Sequence, residues 1–261
     1  MRRRAFEIIC VLLSVGFGAN LMAQTVPAAQ TSKASWRVPG STKQLVVGLT
    51  ADWNASTVTL RRFEKVGRTW KQIGEPFPGR VGVNGLVWGR GLNPRRSDLT
   101  EKVEGDGRAP AGAFAIGRSY GYDALWQSKT KLPYVKVGPR DLLVEDPSSP
   151  LYNKYVRLDH DPITEFEKKQ QMKQSDPMHR LKITIEHNTT PAPVAGKGSA
   201  ILFHIWRANG AKPTAGCTSV SDEAIEGLMT WLDPAKKPIY VLLPTSEYEA
   251  NQGGWNLPRI G

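Results

Sequence analysis

Hydrophobic and polar positions alternate most regularly from Leu181 to His187, which sets Ile183, Ile185 and His187 on one face and Lys182, Thr184 and Glu186 on the other. Period-2 alternation predicts a half-buried strand. Residues 200–206 (Ala-Ile-Leu-Phe-His-Ile-Trp) form a short apolar run between Gly198-Ser199 and Asn209-Gly210, the pattern of a buried strand. His204 then shares a face with Leu202 and Trp206, while Ile201, Phe203 and Ile205 point the other way. The intervening loop, Asn188 to Ser199, lets the two strands pair antiparallel.

Earlier in the chain, Gln44 to Thr50, Ser56 to Lys65 and Thr69 to Pro78 read as three hairpin-spaced strands. The zone Gly79 to Gly91 fits either a ligand cradle or serial bulges at a sheet rim. Glu104 to Gly112 is a turn cluster before a short strand, Ala113 to Gly117. Tyr120, Tyr122, Trp126, Tyr134, Tyr152 and Tyr155 mark an irregular middle, packing loops onto a sheet or stacking on a ligand. Ile163 to Lys173 reads as a surface helix, either plainly solvated or a lid.

A firmer helix follows residue 220, with Ser221 as N-cap, Asp222 and Glu223 in the first turn, and Ile225, Leu228, Met229 and Leu232 on one stripe. It stops at Asp233-Pro234. Ile239 to Leu243 is a closing strand, and 246–261 is left as a tail. The class is mainly β with a few short helices.

Composition changes this picture at the N-terminus. Arg2, Arg3 and Arg4 precede an apolar run from Ile8 to Met22 and a small-residue exit near Ala23, so residues 1–23 read as a secretory signal and 24–42 as a flexible leader. The run is too short for a membrane span. Cys10 leaves with the signal, so the mature chain of about 238 residues keeps one cysteine, Cys217. In an oxidising compartment that thiol is an intermolecular link, an inert buried group or a nucleophile. Net charge is +11, and removing Arg2, Arg3, Arg4 and Glu7 leaves +9. Together with export, this points to a polyanionic envelope surface and away from nucleic acid. No Walker, dinucleotide, EF-hand or zincin pattern occurs.

The candidate chemistry sits thirteen positions apart, at His204 and Cys217. The thiolate is the reactive form of cysteine, and an imidazole facing it activates it. Gly216 leaves the sulfur approachable. Of the other histidines, His160 lies between Asp159 and Asp161 on an exposed turn, poorly spaced for a metal, and His179 sits in a charged surface segment. His187, on the inward face of the neighbouring strand, is open to a supporting role.

His204 followed by Thr214-Ala215-Gly216-Cys217 resembles the signature of the YkuD-type L,D-transpeptidase catalytic domain, in its Thr-Ala-Gly-Cys branch. The likeness extends to residues 105–112, 149–153, 196–199 and 231–234 and spans roughly 43–245. Two departures stand out. The family's common form has a second histidine where this chain has Ala215, and an arginine or asparagine just after the cysteine, where this chain has Thr218-Ser219.

The resemblance implies a β-sandwich of mixed and antiparallel strands acting without metal or organic cofactor on peptidoglycan stem peptides, in the periplasm or cell wall. It implies Cys217 as nucleophile, His204 as base, backbone near Gly216 and Cys217 as oxyanion holder, and a backbone carbonyl orienting His204. Arg207 is expected to hold the substrate carboxylate, with Thr214, Thr218 and Trp206 as further substrate contacts. A tetrapeptide stem acylates Cys217, and a neighbouring amine resolves it into a 3-3 cross-link. The alternatives are an L,D-carboxypeptidase, a hydrolase of wall-attached proteins and a non-catalytic peptidoglycan-binding relative.

Overall fold

The structure, a computed structural model, describes residues 36–95, 98–173 and 176–260. The expected signal and residues 24–35 of the expected leader lie outside the described residues. In chain order the elements are β1 (Gln44–Thr50), β2 (Thr57–Val66), β3 (Thr69–Arg80), β4 (Leu86–Trp88), β5 (Ala109–Gly121), α1 (Trp126–Lys129), β6 (Tyr134–Lys136), β7 (Asp141–Leu143), β8 (Tyr155–Arg157) and α2 (Glu165–Lys169). There follow β9 (Leu181–Ile185), β10 (Leu202–Ile205), β11 (Thr218–Val220), α3 (Asp222–Trp231), β12 (Ile239–Pro244) and α4 (Thr245–Trp255).

The main sheet runs β12-β1-β2-β3-β11-β10-β9-β5, and β12 pairs with β5 as well as with β1, so these strands close into a ring. The class is mainly β, with mixed pairing: β12 runs parallel to β1 and antiparallel to β5. The expected short strand at Ala113 is the middle of β5, which also pairs with β4, β6 and β9. The turn residues Ala109 to Gly112 are drawn into it because β4 and β12 take their backbone groups.

Inside the ring, Phe203 packs on Tyr240 with centroids 4.6 Å apart, and the Tyr240 hydroxyl meets Thr218 Oγ1 at 3.0 Å. Leu45, Leu60 and Ile183 are fully buried in the same core. Alternation then turns His204, with its register partners Lys182 and Ser219, to the outer face. The β7–β8 pair and the segment around Met172 form a cap on that face. Met172 and Val137 of the cap pack against Tyr120 of β5 as a small separate cluster.

Three segments depart from expectation. The sequence places 36–42 in a flexible leader, but Val38 is buried, its N–H bonds Trp255 O at 3.0 Å, and Trp36 packs edge-on against Trp255 at 4.9 Å. The tail from residue 245 begins as α4 and buries Tyr248, Trp255 and Leu257. These two ends cover each other's aromatic surface. The helix expected over 163–173 shortens to α2, held by a capping box in which Thr164 and Glu167 satisfy each other's backbone.

Candidate active site

β10 and β11 run parallel with His204 opposite Ser219 and Phe203 opposite Thr218. Cys217, one residue before β11, therefore falls beside Leu202, on the same outer face as His204 and one step diagonal to it. The loop carrying it is tied by Thr214, whose hydroxyl donates to Cys217 O at 2.6 Å and accepts from Gly216 N–H at 3.1 Å. Thr214 thus shapes the loop. Thr218 points into the ring, buried against Tyr240, and is not a substrate contact.

The Cys217 thiol donates to Ala200 O at 3.4 Å, and the Leu202 backbone hydrogen-bonds the sulfur. The residue keeps partial exposure, yet burial of the thiol pushes its pKa up to about 11, against the opposing pull of Lys102 and Lys182. His204 is driven the other way, down to about 4, first by burial and then by the nearby His179, Lys182 and Arg207. Its Nδ1 lies 2.7 Å from Ile205 O. A carbonyl only accepts, so Nδ1 carries the hydrogen and Nε2 is left unprotonated. The resting pair is neutral thiol and neutral imidazole. Among the described residues no hydrogen bond joins them, so sulfur and ring share a face but the thiol must swing from Ala200 O to reach Nε2.

Groups that the sequence did not single out complete the surroundings. Lys182, 2% exposed, bonds Met172 O of the cap, and burial lowers its pKa to about 8. His179, expected at the surface, is stacked on His204, held by Asp176 at 2.8 Å from Nδ1. Burial drew it in: the turn Pro177–His179 caps on Asp176 and lays the ring over β10. Lys102 is 3% exposed and bonds Asp106 and Arg108 O, each at 2.7 Å. A Cβ on Gly216 would stand 3.1 Å from Arg108 O and 3.3 Å from this Nζ, so a side chain there would crowd that hydrogen bond. Ser219 Oγ, across from His204, is buried and has no hydrogen-bond partner among the described residues.

The turn clusters that carried the family resemblance converge here. Glu104 accepts from Tyr152 and from Ser199 Oγ at 2.8 Å, and Asn153 Oδ1 accepts from Ala200 N–H at 2.9 Å. Asn153 so holds Ala200, at φ 53°, in the conformation that offers its carbonyl to the thiol. His187 has both nitrogens occupied, Nδ1 by Arg90 N–H at 3.1 Å and Nε2 donating to Lys197 O at 2.9 Å, and so pins loops together. His160 lies on the exposed cap bonded to Asp159 and Glu167. Arg207 is exposed beside His204. Trp206 packs over Gly210 and lines a separate ≈ 750 Å³ cleft with Arg80. Among the described residues no group of three His, Cys, Asp or Glu is placed to hold a metal, and no helix is long and apolar enough to cross a membrane.

Against known proteins, the YkuD family model, described as the L,D-transpeptidase catalytic domain, matches residues 67–241, two thirds of the chain. No curated protein matches. Two solved structures are similar at 14% identity over 81% of this chain: the helical cell shape determining protein Pgp2 from Campylobacter jejuni, with TM-score 0.37, and a lysine-to-alanine mutant of it, with TM-score 0.34. The chain covers 51% and 50% of them, so it spans about half the length of the solved structures it matches. With the family model extending from β3 to β12 and taking in both His204 and Cys217, the chain belongs to the YkuD family of L,D-transpeptidase catalytic domains.

Proposed function

We propose that the protein is an exported, cysteine-dependent L,D-transpeptidase acting on peptidoglycan tetrapeptide stems. Family membership supports the reaction class and a substrate outside the cytoplasm, and the reading of residues 1–23 as a signal supports export. The observation that carries it is the outward pairing of Cys217 with His204, whose Nε2 is the unprotonated nitrogen.

In this reading the Cys217 thiol turns from Ala200 O to His204. Nε2 takes its proton as the sulfur attacks the carbonyl between the third residue and the terminal D-alanine. Gly216 N–H is committed to Thr214, so the Cys217 N–H is assigned to the developing oxyanion. The carbon–nitrogen bond breaks as His204 returns the proton to the departing D-alanine amine, leaving a thioester. The amine of a second stem then attacks the thioester carbonyl, loses a proton to His204 and releases the sulfur, which takes that proton back. Arg207, exposed beside the ring, is assigned to the D-alanine carboxylate. A neutral resting pair suits general-base attack, where the proton moves as the bond forms.

Incubating the mature protein with tetrapeptide stems, with mass spectrometry of products and of the intact chain, tests this. A cross-linked dimer and an adduct on Cys217, both lost in Cys217→Ala, are expected. A tripeptide without dimer selects the carboxypeptidase. Stem or wall binding with no product, unchanged in Cys217→Ala, selects the binding relative and ends the proposal.

A further inference from the structure

Beyond His204 the outer face continues, on the side away from β9 and the cap, into the ≈ 750 Å³ cleft bordered by Trp206 and Arg80. Register fixes its place. His204 is opposite Ser219, Ser219 opposite Arg80 and Arg80 opposite Thr57, so one row crosses β10, β11, β3 and β2 on a single face. Arg80 therefore stands two strand spacings, about 10 Å, from His204. Arg207, already assigned to the departing D-alanine, directly follows Trp206, so the leaving side of the scissile bond is the side on which the cleft lies.

The wall of the cleft is an anchored indole. Trp206 N–H bonds Val220 O at 2.8 Å, and a Cβ at Gly210 would come within 2.7 Å of the Trp206 ring, so the indole lies against the glycine backbone and turns its remaining surface to the cleft. The Gly210 carbonyl accepts from Arg80 Nε, which holds that guanidinium at the same wall. Thr57 and Thr59, both exposed, add two hydroxyls. Arg61, four positions along β2 from Thr57, borders the cleft with no hydrogen bond or ion pair among the described residues. A half-buried indole beside hydroxyls and guanidinium donors suits a sugar, whose C–H face stacks on the ring while its hydroxyl and acetamido oxygens take the donors. Among the described residues no Asp or Glu lines the cleft, so it has nothing to attract an ammonium group.

We propose that this cleft is a subsite for the saccharide end of the acceptor strand. The inference rests on the reading of Cys217 as a nucleophile whose thioester is resolved by an amine. Aminolysis is acylation run in reverse with a different amine, so the acceptor enters on the side that D-alanine leaves, next to Arg207 and Trp206. Its amine ends a side chain on the third stem residue, and two further residues, about 7 Å of extended chain, separate that residue from the sugar. Side chain and backbone together span the ~10 Å from His204 to Arg80. Two guanidiniums with no carboxylate between them repel the acceptor's ammonium form and turn its amine toward the sulfur, which sets the direction in which the strand is held.

Sugar binding separates this proposal from the catalytic one, because it needs no thiol. The probe is the N-acetylglucosamine–N-acetylmuramic acid disaccharide with its lactyl carboxyl capped as the methylamide, titrated by calorimetry into the full chain carrying Cys217→Ala. Saturable binding is expected, weakened about 10-fold by Trp206→Ala and kept within about 3-fold by Trp206→Phe, which leaves a ring on the wall. Arg61→Gln, outside the 206–210 loop, is expected to weaken binding as well, and so tests the cleft without disturbing that loop. In the unmutated chain, joining the disaccharide to the acceptor stem is expected to lower the acceptor KM about 10-fold, and joining it to the donor stem to leave the donor KM unchanged. No saturable binding, binding indifferent to both Trp206→Ala and Arg61→Gln, or a sugar effect on the donor alone overturns the subsite. Disaccharide binding by a chain that forms no cross-link keeps the saccharide site and defeats the transpeptidase; cross-linking without disaccharide binding does the reverse.

Discussion

The imidazoles of His179 and His204 lie face to face, with centroids 5.3 Å apart and planes inclined by 28°. The family's usual second histidine is missing at position 215, yet a second imidazole still reaches the site, delivered by the turn after the cap and anchored on Asp176. Stacking shields one side of the His204 ring from water. His179→Ala is expected to let water in, raise the His204 pKa and move the acid limb of kcat/KM upward by about one pH unit. His179→Phe keeps the stacking surface and is expected to stay near the unmutated profile. A limb unmoved by either change would deny the ring any influence on His204.

Burial sets the His204 pKa near 4, so the unmutated chain is expected to keep full kcat/KM at pH 6 and lose it only as pH falls toward 4, when Nε2 becomes protonated. Lys182 contributes to that depression through its charge. Lys182→Met removes the charge, and the acid limb is expected to rise. Initial rates between pH 3.5 and 8 measure both effects.

The cap has its own acid sensitivity. Asp141 is fully buried; burial alone would raise its pKa, but hydrogen bonds from Arg157, Tyr155 and Gly138 N–H outweigh it and hold the carboxyl below the ordinary range. A depressed folded pKa means stability present above the unfolded value, about 3.9, and lost as pH falls through the folded one. Asp141→Asn is expected to cost about 2 kcal/mol at pH 7. The gap from the unmutated chain should narrow by pH 2.5, as read by urea denaturation.

Two threonines near the sulfur separate by role. Thr218→Val removes a hydroxyl inside the ring and is expected to cost about 1 kcal/mol of stability with KM unchanged. Thr214→Val frees the loop that its hydroxyl ties, and kcat is expected to fall about 10-fold, or about 1.4 kcal/mol, with little change in thermal midpoint. Steady-state kinetics and thermal unfolding of the two variants decide whether these assignments are right.

The strands and the His204–Cys217 pair were legible because alternation, turn residues and a lone mature cysteine are local signals. Closure of the ring was not, since the double pairing of β12 with β1 and β5 joins segments some 190 and 130 positions apart and leaves no trace in spacing. Thr218 illustrates a one-residue ambiguity: beside Cys217 in sequence, it faces the opposite side of the strand, a parity fixed only once Phe203 is known to be its partner. His179 and Lys182 were hidden for a different reason. Charged residues in a polar stretch read as solvated, and only the cap folding over β9 and β10 removes them from water. The alternation did place Lys182 on the face of Thr184, the face that its register partner His204 shares.

The last strand is also the keystone of the ring. Because β12 bridges β1 and β5, the barrel stays open until residue 244 has been made, and the sheet that positions the sulfur cannot be completed on a shorter nascent chain. A chain synthesised from its N-terminus thus holds β1 without its second neighbour until some 190 further residues have followed it.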